Sequence, residues 1–200
     1  MYLPLNQALL MPIWISRHVN VNVNRGGITL LNPYRACVRL GVNQGPFGLT
    51  RKKSFLTIEN GGNLVFNGRA TFCSGFAIEI SKDGMITIGN RFHSSGNTVC
   101  TSNTSVEIGD DVLLGWNVII RDSDGHHIIK DGKRINQDQP ISIGSKVWIG
   151  ADSAVMKGVK IEDGCIIGTR SVVTHDIVEK NSISVGIPSK VIKTDVDWHH

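Results

Sequence analysis

The chain has 200 residues, of which 40% are hydrophobic, 6% are aromatic and 22 are glycine, and its formal net charge is +4. That length and hydrophobic content predict one domain whose core can form without disulfide or metal crosslinks. The positive charge suits an anionic partner. A nucleic acid is disfavoured, because aromatic residues for stacking are scarce and the one tight basic cluster is Arg51, Lys52 and Lys53.

The N-terminal segment, residues 1–57, contains strand-like pieces such as V-N-V-N and G-I-T-L-L but no clean repeat. Its apolar start, L-P-L-N-Q-A-L-L-M-P-I-W-I, has no basic leader and is interrupted by two prolines and two amides. It is therefore too short and too broken for a membrane span or a signal peptide. We expect a strand-rich cap over the repeat that follows, with a membrane-surface anchor as the alternative.

The four cysteines form no C-x-x-C pair and show no zinc spacing; they are Cys37, Cys73, Cys100 and Cys165. This pattern predicts reduced, mostly buried thiols in a cytoplasmic protein.

A six-residue hydrophobic period begins at Ile58 and is clearest between residues 143 and 187. Aliphatic residues recur at Ile143, Ile149, Val155, Ile161, Ile167 and Val173, and a small or aliphatic residue follows each of them four places later, at Val147, Ser153, Val159, Cys165, Ser171 and Ile177. A period of six fits neither a helix nor plain strand alternation. It is typical of a solenoid, in which each six-residue segment forms one flat side of a coil and the chain then turns onto the next side. Residues 58–187 would form about six coils.

Residues 121–142 interrupt this period with R-D-S-D-G-H-H-I-I-K-D-G-K-R-I-N-Q-D-Q-P-I-S. Long insertions in a regular repeat usually carry function, because the scaffold gains nothing from them. The loop contains two adjacent histidines and several acids, and histidine is suited to general base catalysis near neutral pH. We therefore expect the chemistry here.

The hexapeptide lines, the V-W-I-G of residues 147–150 and the closing V-G-I-P-S-K-V-I-K of residues 185–193 resemble the hexapeptide-repeat acetyltransferases. Within that family the resemblance is to galactoside, maltose and polysaccharide O-acetyltransferases, and it covers about residues 58–193. It implies an all-β fold, a left-handed parallel β-helix over residues 58–187, with loop 121–142 protruding and a tail, residues 188–200, that contains a short helix.

The same resemblance implies a homotrimer that transfers acetyl from acetyl-CoA to a sugar hydroxyl at sites between subunits, without a metal. It places the catalytic base at His126, because relatives carry G-H-P or F-H-P where this chain reads D-G-H-H-I. Asp122, Asp124 or a backbone carbonyl would orient the imidazole ring, and the sequence does not choose among them.

Acetyl-CoA is expected along a groove between adjacent subunits, near the C-terminal hexapeptide repeats. The resemblance implies that its contacts are Trp148, Gly150, Ala151, Gly168, Thr169, Thr174, His175, Lys190 and Lys193. Small residues after each Ile-Gly pair would let backbone amides approach the pantetheine arm, and the lysines would face the phosphates. This chain reads V-T-H-D where relatives commonly read V-T-K-D, so His175 replaces a fixed positive charge.

On the acceptor side the predicted contacts are Ser95, Asn97 and His127, although for His127 an exposed loop residue without a role in binding is the favoured interpretation. Sugar-acetylating relatives read A-N-F-N where this chain reads S-S-G-N, so Ser95 stands where the first asparagine would contact the acceptor. The change argues against a simple galactoside. A nucleotide-linked sugar, a lipid-linked glycan and a polysaccharide unit stay open.

Two other enzymatic functions fit the same solenoid. An N-acetyltransferase acting on an amino sugar would use the same base and donor. A metalloenzyme resembling the γ-class carbonic anhydrases would need three histidine ligands, for which His93, His126 and His127 are available. Adjacent histidines rarely serve one ion together, and Asp131 and Gly132 stand where the third ligand is expected. A non-catalytic scaffold is disfavoured by the histidine loop.

Overall fold

The computed structural model describes residues 3–42 and 52–199, in which the regular elements are short strands and one four-residue helix. Arg51, part of the basic cluster in the sequence, lies outside the described residues, as does part of the predicted cap.

The elements follow one another in coils. The helix α1 spans Leu5–Ala8, and the first coil contains β1 (Ile13–Ile15), β2 (Val19–Val23) and β3 (Ile28–Leu30). The next three coils contain β4 (Val38–Val42), β5 (Ser54–Ile58), β6 (Asn63–Phe66), β7 (Ala70–Cys73), β8 (Ala77–Ile80), β9 (Met85–Ile88), β10 (Phe92–Gly96), β11 (Val99–Ser102) and β12 (Ser105–Ile108). The fifth contains β13 (Leu113–Trp116), β14 (Ile119–Arg121), the loop strands β15 (Ile129–Lys130) and β16 (Lys133–Arg134), and β17 (Ile141–Ile143). The remaining strands are β18 (Trp148–Ile149), β19 (Ala154–Met156), β20 (Lys160–Ile161), β21 (Ile166–Ile167), β22 (Val172–Val173), β23 (Ile183–Gly186) and β24 (Ser189–Lys193).

Three sheets form the sides of the coil. Sheet A contains β1, β4, β7, β10, β13, β18, β21, β23 and β24; sheet B contains β2, β5, β8, β11, β14, β19 and β22; and sheet C contains β3, β6, β9, β12, β17 and β20. Each coil visits A, B and C in turn, and its strands pair in parallel with those of the next coil. The predicted left-handed parallel β-helix is confirmed. We call its edges the A/B, B/C and C/A corners, after the sheets that each one joins.

The core is the column of side chains that the six-residue period points inward. All twelve positions of the period between residues 143 and 177 are buried, including the small residues Ser153, Cys165 and Ser171. The four cysteines are free and buried, as predicted. Burial raises the pKa of Cys100 to about 12 and that of Cys73 to about 11, so both thiols stay protonated near neutral pH.

Coil stacking explains the small and amide residues at the corners. At the A/B corner, Asn97, Asn117 and Asp152 all have positive φ angles, between 52° and 59°. Their side chains form a ladder, in which Asn97 Nδ2 donates to Asn117 Oδ1 at 2.9 Å and Asn117 Nδ2 donates to Asp152 Oδ1 at 2.8 Å. Short polar side chains tolerate this left-handed backbone and bond locally, so they recur where the chain turns.

The solenoid begins earlier than the sequence period indicated. Strands β1, β2 and β3 pair in parallel with β4, β5 and β6, so they already belong to sheets A, B and C. Strand β5, Ser54–Ile58, also crosses the predicted boundary after residue 57. The described part of residues 1–57 therefore continues the sheets, and α1 lies before the first coil.

The short helix predicted for the C-terminal tail is wrong. Ser189–Lys193 forms β24, which turns back and pairs antiparallel with β23. Val191 packs against the core while Lys190 is exposed, an alternation with the period of a strand. The pairing also satisfies backbone groups that β23 would otherwise expose at the edge of sheet A.

Candidate functional site

The histidine loop leaves the coil at the B/C corner, between β14 and β17. Its outer part is the antiparallel hairpin β15/β16, closed by Asp131 and Gly132 with φ angles of 50° and 72°. Two consecutive positive φ angles are the mark of a tight hairpin turn, for which Asp-Gly is a preferred pair. The loop therefore has a defined backbone.

Asn136, which the sequence did not single out, holds the base of this loop. Its side chain is buried, with 8% exposed. The amide nitrogen donates to the His126 carbonyl at 2.8 Å and to Asp124 Oδ2 at 2.7 Å, while the amide oxygen accepts from the Ile128 backbone N–H at 2.7 Å. One buried amide thus fixes the backbone on both sides of the two histidines.

Asp124 ties the same network to the next coil. Lys157 Nζ lies 2.5 Å from Asp124 Oδ2. Hydrogen bonds from Lys157 and then from Asn136 hold the pKa of Asp124 below its ordinary value. The carboxylate is therefore charged near neutral pH and braces the loop.

His126 and His127 are both exposed on this loop. Within residues 3–42 and 52–199, no side-chain hydrogen bond to the His126 ring is formed. The structure brings neither predicted orienting carboxylate to that ring. Asp124 acts on the loop backbone through Asn136, and Asp122 points into the coil.

Asp122 is fully buried and serves the neighbouring coil. Its oxygens accept hydrogen bonds from the backbone N–H groups of Asn103 and Thr104, at 2.8 and 2.7 Å, and from the hydroxyls of Ser102 and Thr104, at 3.0 and 2.9 Å. These donors belong to Ser102, the last residue of β11, and to the two residues of the turn that follows. The prediction that Asp122 orients the catalytic ring therefore has no support, because its acceptor capacity is used on that turn.

Replacing Asp122 with alanine is expected to lower the free energy of unfolding by about 3 kcal/mol, because several buried donors lose their partner. Thermal or urea unfolding measures this loss. Asp83→Ala, which removes an exposed aspartate from another turn of the solenoid, is the matched control and should change stability by less than about 0.5 kcal/mol. Unchanged stability of Asp122→Ala together with lost activity would instead place Asp122 in the chemistry.

The predicted acetyl-CoA contacts Ala151 and Thr169 lie side by side at the A/B corner, in consecutive coils. Both follow a glycine whose small size the coil stacking requires. A Cβ on Gly150 would lie 2.6 Å from the Thr169 nitrogen, and one on Gly168 would lie 2.6 Å from Val185 Cγ1. The glycines therefore serve packing, and the half-buried Ala151 and exposed Thr169 form the surface of this corner.

Trp148 lies on the outer face of sheet A, two residues before this corner, and is 39% exposed. Its ring tilts against that of the buried Trp198, with 6.0 Å between the centroids, and Trp198 Nε1 donates to the Lys146 carbonyl at 2.9 Å. The C-terminal tail thus supports Trp148 from one side and leaves its other face open. Lys190 and Lys193 are exposed on β24, in the same sheet.

Thr174 and His175 follow β22 at the B/C corner, on the side of the histidine loop. Both are exposed, and Thr174 Oγ1 lies 2.9 Å from His175 Nδ1. The predicted contacts thus fall into two groups on one chain. The histidine loop, Thr174 and His175 lie at the B/C corner, whereas the Trp148 face and the A/B corner lie at the other edge of sheet B.

The predicted acceptor contacts divide in the same way. Ser95 is half-buried on β10, on the outer face of sheet A, and Asn97 belongs to the amide ladder of the A/B corner. His127 lies on the loop at the B/C corner. Because Asn97 already bonds Asn117, its side chain serves the corner, and Ser95 is the member of the pair that faces outward.

No helix within the described ranges is long and apolar enough to cross a membrane. The same residues contain no group of three His, Cys, Asp or Glu side chains arranged to hold a metal ion.

A family model described as the bacterial transferase hexapeptide (six repeats) matches residues 140–175. The solved structure of a maltose O-acetyltransferase from Clostridium difficile 630 is 31% identical, with a TM-score of 0.51 over 60% of this chain and 67% of that one. The chain belongs to the hexapeptide-repeat acetyltransferases.

Other members of the family show a similar degree of likeness. The galactoside O-acetyltransferase of Escherichia coli K12 is 36% identical over 120 residues, which are 58% of this chain and 58% of that protein. The polysialic acid O-acetyltransferase of Escherichia coli O1:K1 is 40% identical over 124 residues, 60% of this chain and 40% of the relative. A solved galactoside acetyltransferase in complex with coenzyme A is 28% identical, with a TM-score of 0.50 over 62% of this chain and 67% of that one. The chain thus spans about half the length of these curated relatives.

Proposed function

We propose that this hexapeptide-repeat protein transfers the acetyl group of acetyl-CoA to a hydroxyl group of a sugar or polysaccharide, with His126 as general base. The observation that carries the proposal is the exposed His126 imidazole on a loop whose backbone is held by the buried Asn136. Relatives named for O-acetyl transfer to galactosides, maltose and polysialic acid, one of them solved with coenzyme A, support both the donor and the acceptor class.

In this mechanism a ring nitrogen of His126 accepts the proton of the acceptor hydroxyl as its oxygen attacks the thioester carbonyl. The tetrahedral intermediate collapses with cleavage of the carbon–sulfur bond. The imidazolium then returns its proton to the departing thiolate, which leaves as CoA, and the acetyl ester remains on the acceptor. Asn136 keeps the loop backbone in place while the ring gains and loses its charge.

The site proposed here lies between two subunits of a homotrimer. His126 and Thr169 occupy opposite edges of sheet B on one chain, so a single chain does not place the base beside the A/B corner. A threefold assembly with head-to-tail contacts sets one corner of each subunit against the other corner of its neighbour. Trp148, Ala151 and Thr169 of one subunit would then face His126 of the next.

Sheet B has the surface that such an assembly needs. One of its two outward-facing rows is apolar in strand register: Phe55, Ala77, Val99, Ile119, Ala154 and Val172. The other row is mostly polar: Thr57, Glu79, Thr101, Arg121 and Met156. Phe55 is 46% exposed and Ile119 is 38% exposed on the isolated chain. The corresponding row on sheet C is mostly polar: Thr29, Val65, Thr87, Glu107, Ser142 and Lys160. A continuous apolar stripe is typical of a covered surface, so sheet B is the proposed subunit interface.

The test is thiol release from acetyl-CoA with a panel of neutral sugars, acidic oligosaccharides, nucleotide sugars and amino sugars. Release that requires a hydroxyl acceptor, with an ester product in the mass spectrum, would support the proposal. An amide product would replace it with N-transfer. Absence of both thiol release and acetyl-CoA binding would overturn it, and a metal assay would then examine the carbonic-anhydrase-like alternative. The cytoplasmic location is part of the same proposal.

A further inference from the structure

A polar cleft of about 370 Å³ lies on the outer face of sheet A, in its N-terminal half. Three arginines line it, Arg39, Arg69 and Arg91, together with Thr71, His93 and Asp111. The arginines come from three consecutive coils, because Arg39 lies on β4 and the other two lie just before β7 and β10. The solenoid thus stacks guanidinium groups along one groove.

The charges in this cleft are not balanced. Among the described residues that line the cleft, Asp111 is the one carboxylate, and it forms a bidentate ion pair with Arg91. Among the residues that the structure describes, no carboxylate lies within 4.0 Å of the guanidinium of Arg39 or Arg69. Like charges in a cleft repel each other and raise the local potential, which favours an anion between them. A planar guanidinium is also suited to a carboxylate, which it binds through two parallel hydrogen bonds.

The cleft lies on the same face of sheet A as Trp148 of the proposed active site. Arg39, Thr71, His93, Leu113 and Trp148 are direct neighbours in successive strands of sheet A. Neighbouring strands lie about 4.8 Å apart, so the row places His93 about 10 Å and Arg39 about 19 Å from Trp148. Ser95, the outward-facing residue predicted to contact the acceptor, lies on the same strand as His93. A chain-like acceptor that reaches Trp148 along this face therefore passes the arginines.

The sequence concentrates positive charge at this end of the molecule. Residues 1–58 contain seven Lys and Arg and no Asp or Glu, whereas the remaining residues contain 14 Lys and Arg and 17 Asp and Glu. The net charge of +4 therefore combines a strongly basic N-terminal part with a slightly acidic remainder. Such asymmetry attracts a long anionic ligand to the N-terminal coils.

We propose that the cleft lined by Arg39, Arg69, Arg91 and His93 binds a carboxylate of an acidic glycan acceptor. The inference rests on the proposed function for its reaction but names the substrate class and the residues that select it. The phosphates of CoA are a second source of anionic groups. They do not fit this place, because the expected donor contacts, Thr169, Lys190 and Lys193, lie in the C-terminal coils at the other end of sheet A.

The experiment uses the full chain and the double variant Arg39→Gln/Arg69→Gln. It removes the two guanidinium groups that have no carboxylate partner among the described residues and leaves the Arg91–Asp111 pair intact. Arg17→Gln/Arg25→Gln is the matched control, since both residues are exposed in the first coil away from this cleft. The probes are oligogalacturonate, oligosialate and malto-oligosaccharide of equal length, and acetyl-CoA. Binding is measured calorimetrically at two salt concentrations, and acetyl transfer is measured in parallel.

We expect wild type and control to bind at least one acidic oligomer more tightly than the neutral one. The cleft variant should weaken that binding about tenfold and flatten its salt dependence, with acetyl-CoA affinity unchanged. Equal loss in the control, equal binding of acidic and neutral oligomers, or weaker acetyl-CoA binding in the cleft variant would each overturn the inference. If wild type binds the acidic oligomer through the cleft but transfers acetyl to no acceptor, the proposed function fails and the binding site stands.

Discussion

His126→Ala is expected to lower the turnover number for acetyl transfer by about 10²–10⁴-fold, the usual contribution of a positioned general base. Acetyl-CoA binding and the unfolding temperature should stay at their wild-type values, because the His126 side chain is exposed and makes no side-chain hydrogen bond within the described part of the chain. Steady-state rates of thiol release, with calorimetric binding of acetyl-CoA, measure both quantities. The backbone contact from Asn136 to the carbonyl of residue 126 survives the substitution, so the loop keeps its conformation.

His127→Ala is the matched control, because it removes the same side chain one position along the same exposed loop. Its turnover number should stay close to that of wild type, while a rise in the KM for the acceptor would agree with the predicted acceptor contact. Activity of His126→Ala within about threefold of wild type would remove His126 from the mechanism.

Thr169→Trp is expected to weaken acetyl-CoA binding by at least about tenfold, since an indole at the A/B corner occupies the surface along which the pantetheine arm is proposed to lie. Thr169 is exposed, so the larger side chain does not have to enter the core. Thr87→Trp places the same substitution on the polar outer face of sheet C and should leave binding unchanged. If both variants bind acetyl-CoA as tightly as wild type does, the donor lies elsewhere.

The inward column of the β-helix was predictable, because a six-residue period has few structural solutions and each buried position repeats it. The strands before Ile58 were harder to predict from the sequence. Strands β1 to β4 pair as the others do, yet seven residues separate β3 from β4 and eleven separate β4 from β5, so the six-residue spacing is lost in the sequence. The C-terminal strand β24 was missed for a related reason, since five residues can be a turn of helix or an edge strand until their pairing partner is known.

The residues of the candidate site could be picked out from the sequence, but most of their hydrogen-bond partners could not. The loop and its histidines stand out as an interruption of the repeat. The partners of Asp122 do not, because Ser102, Asn103 and Thr104 lie one coil earlier, about twenty residues away in sequence. Asn136 was overlooked because its role depends on the loop folding back on itself, which brings Asn136 beside Asp124 and Ile128.

In the proposed assembly, each active site combines His126 of one subunit with the A/B corner of its neighbour. Mixed trimers of His126→Ala and Thr169→Trp test this most directly. The two variants are co-expressed in equal amounts with different tags, purified through both tags and assayed at an acetyl-CoA concentration too low for Thr169→Trp to show activity. Purification through both tags removes the trimers of a single variant, and each remaining head-to-tail trimer has one site of three with an intact base and an intact corner. The pool should therefore regain about one third of wild-type activity while each parent stays inactive. Mixed assemblies that contain both variants and are no more active than their parents would show that the site is completed within a single chain.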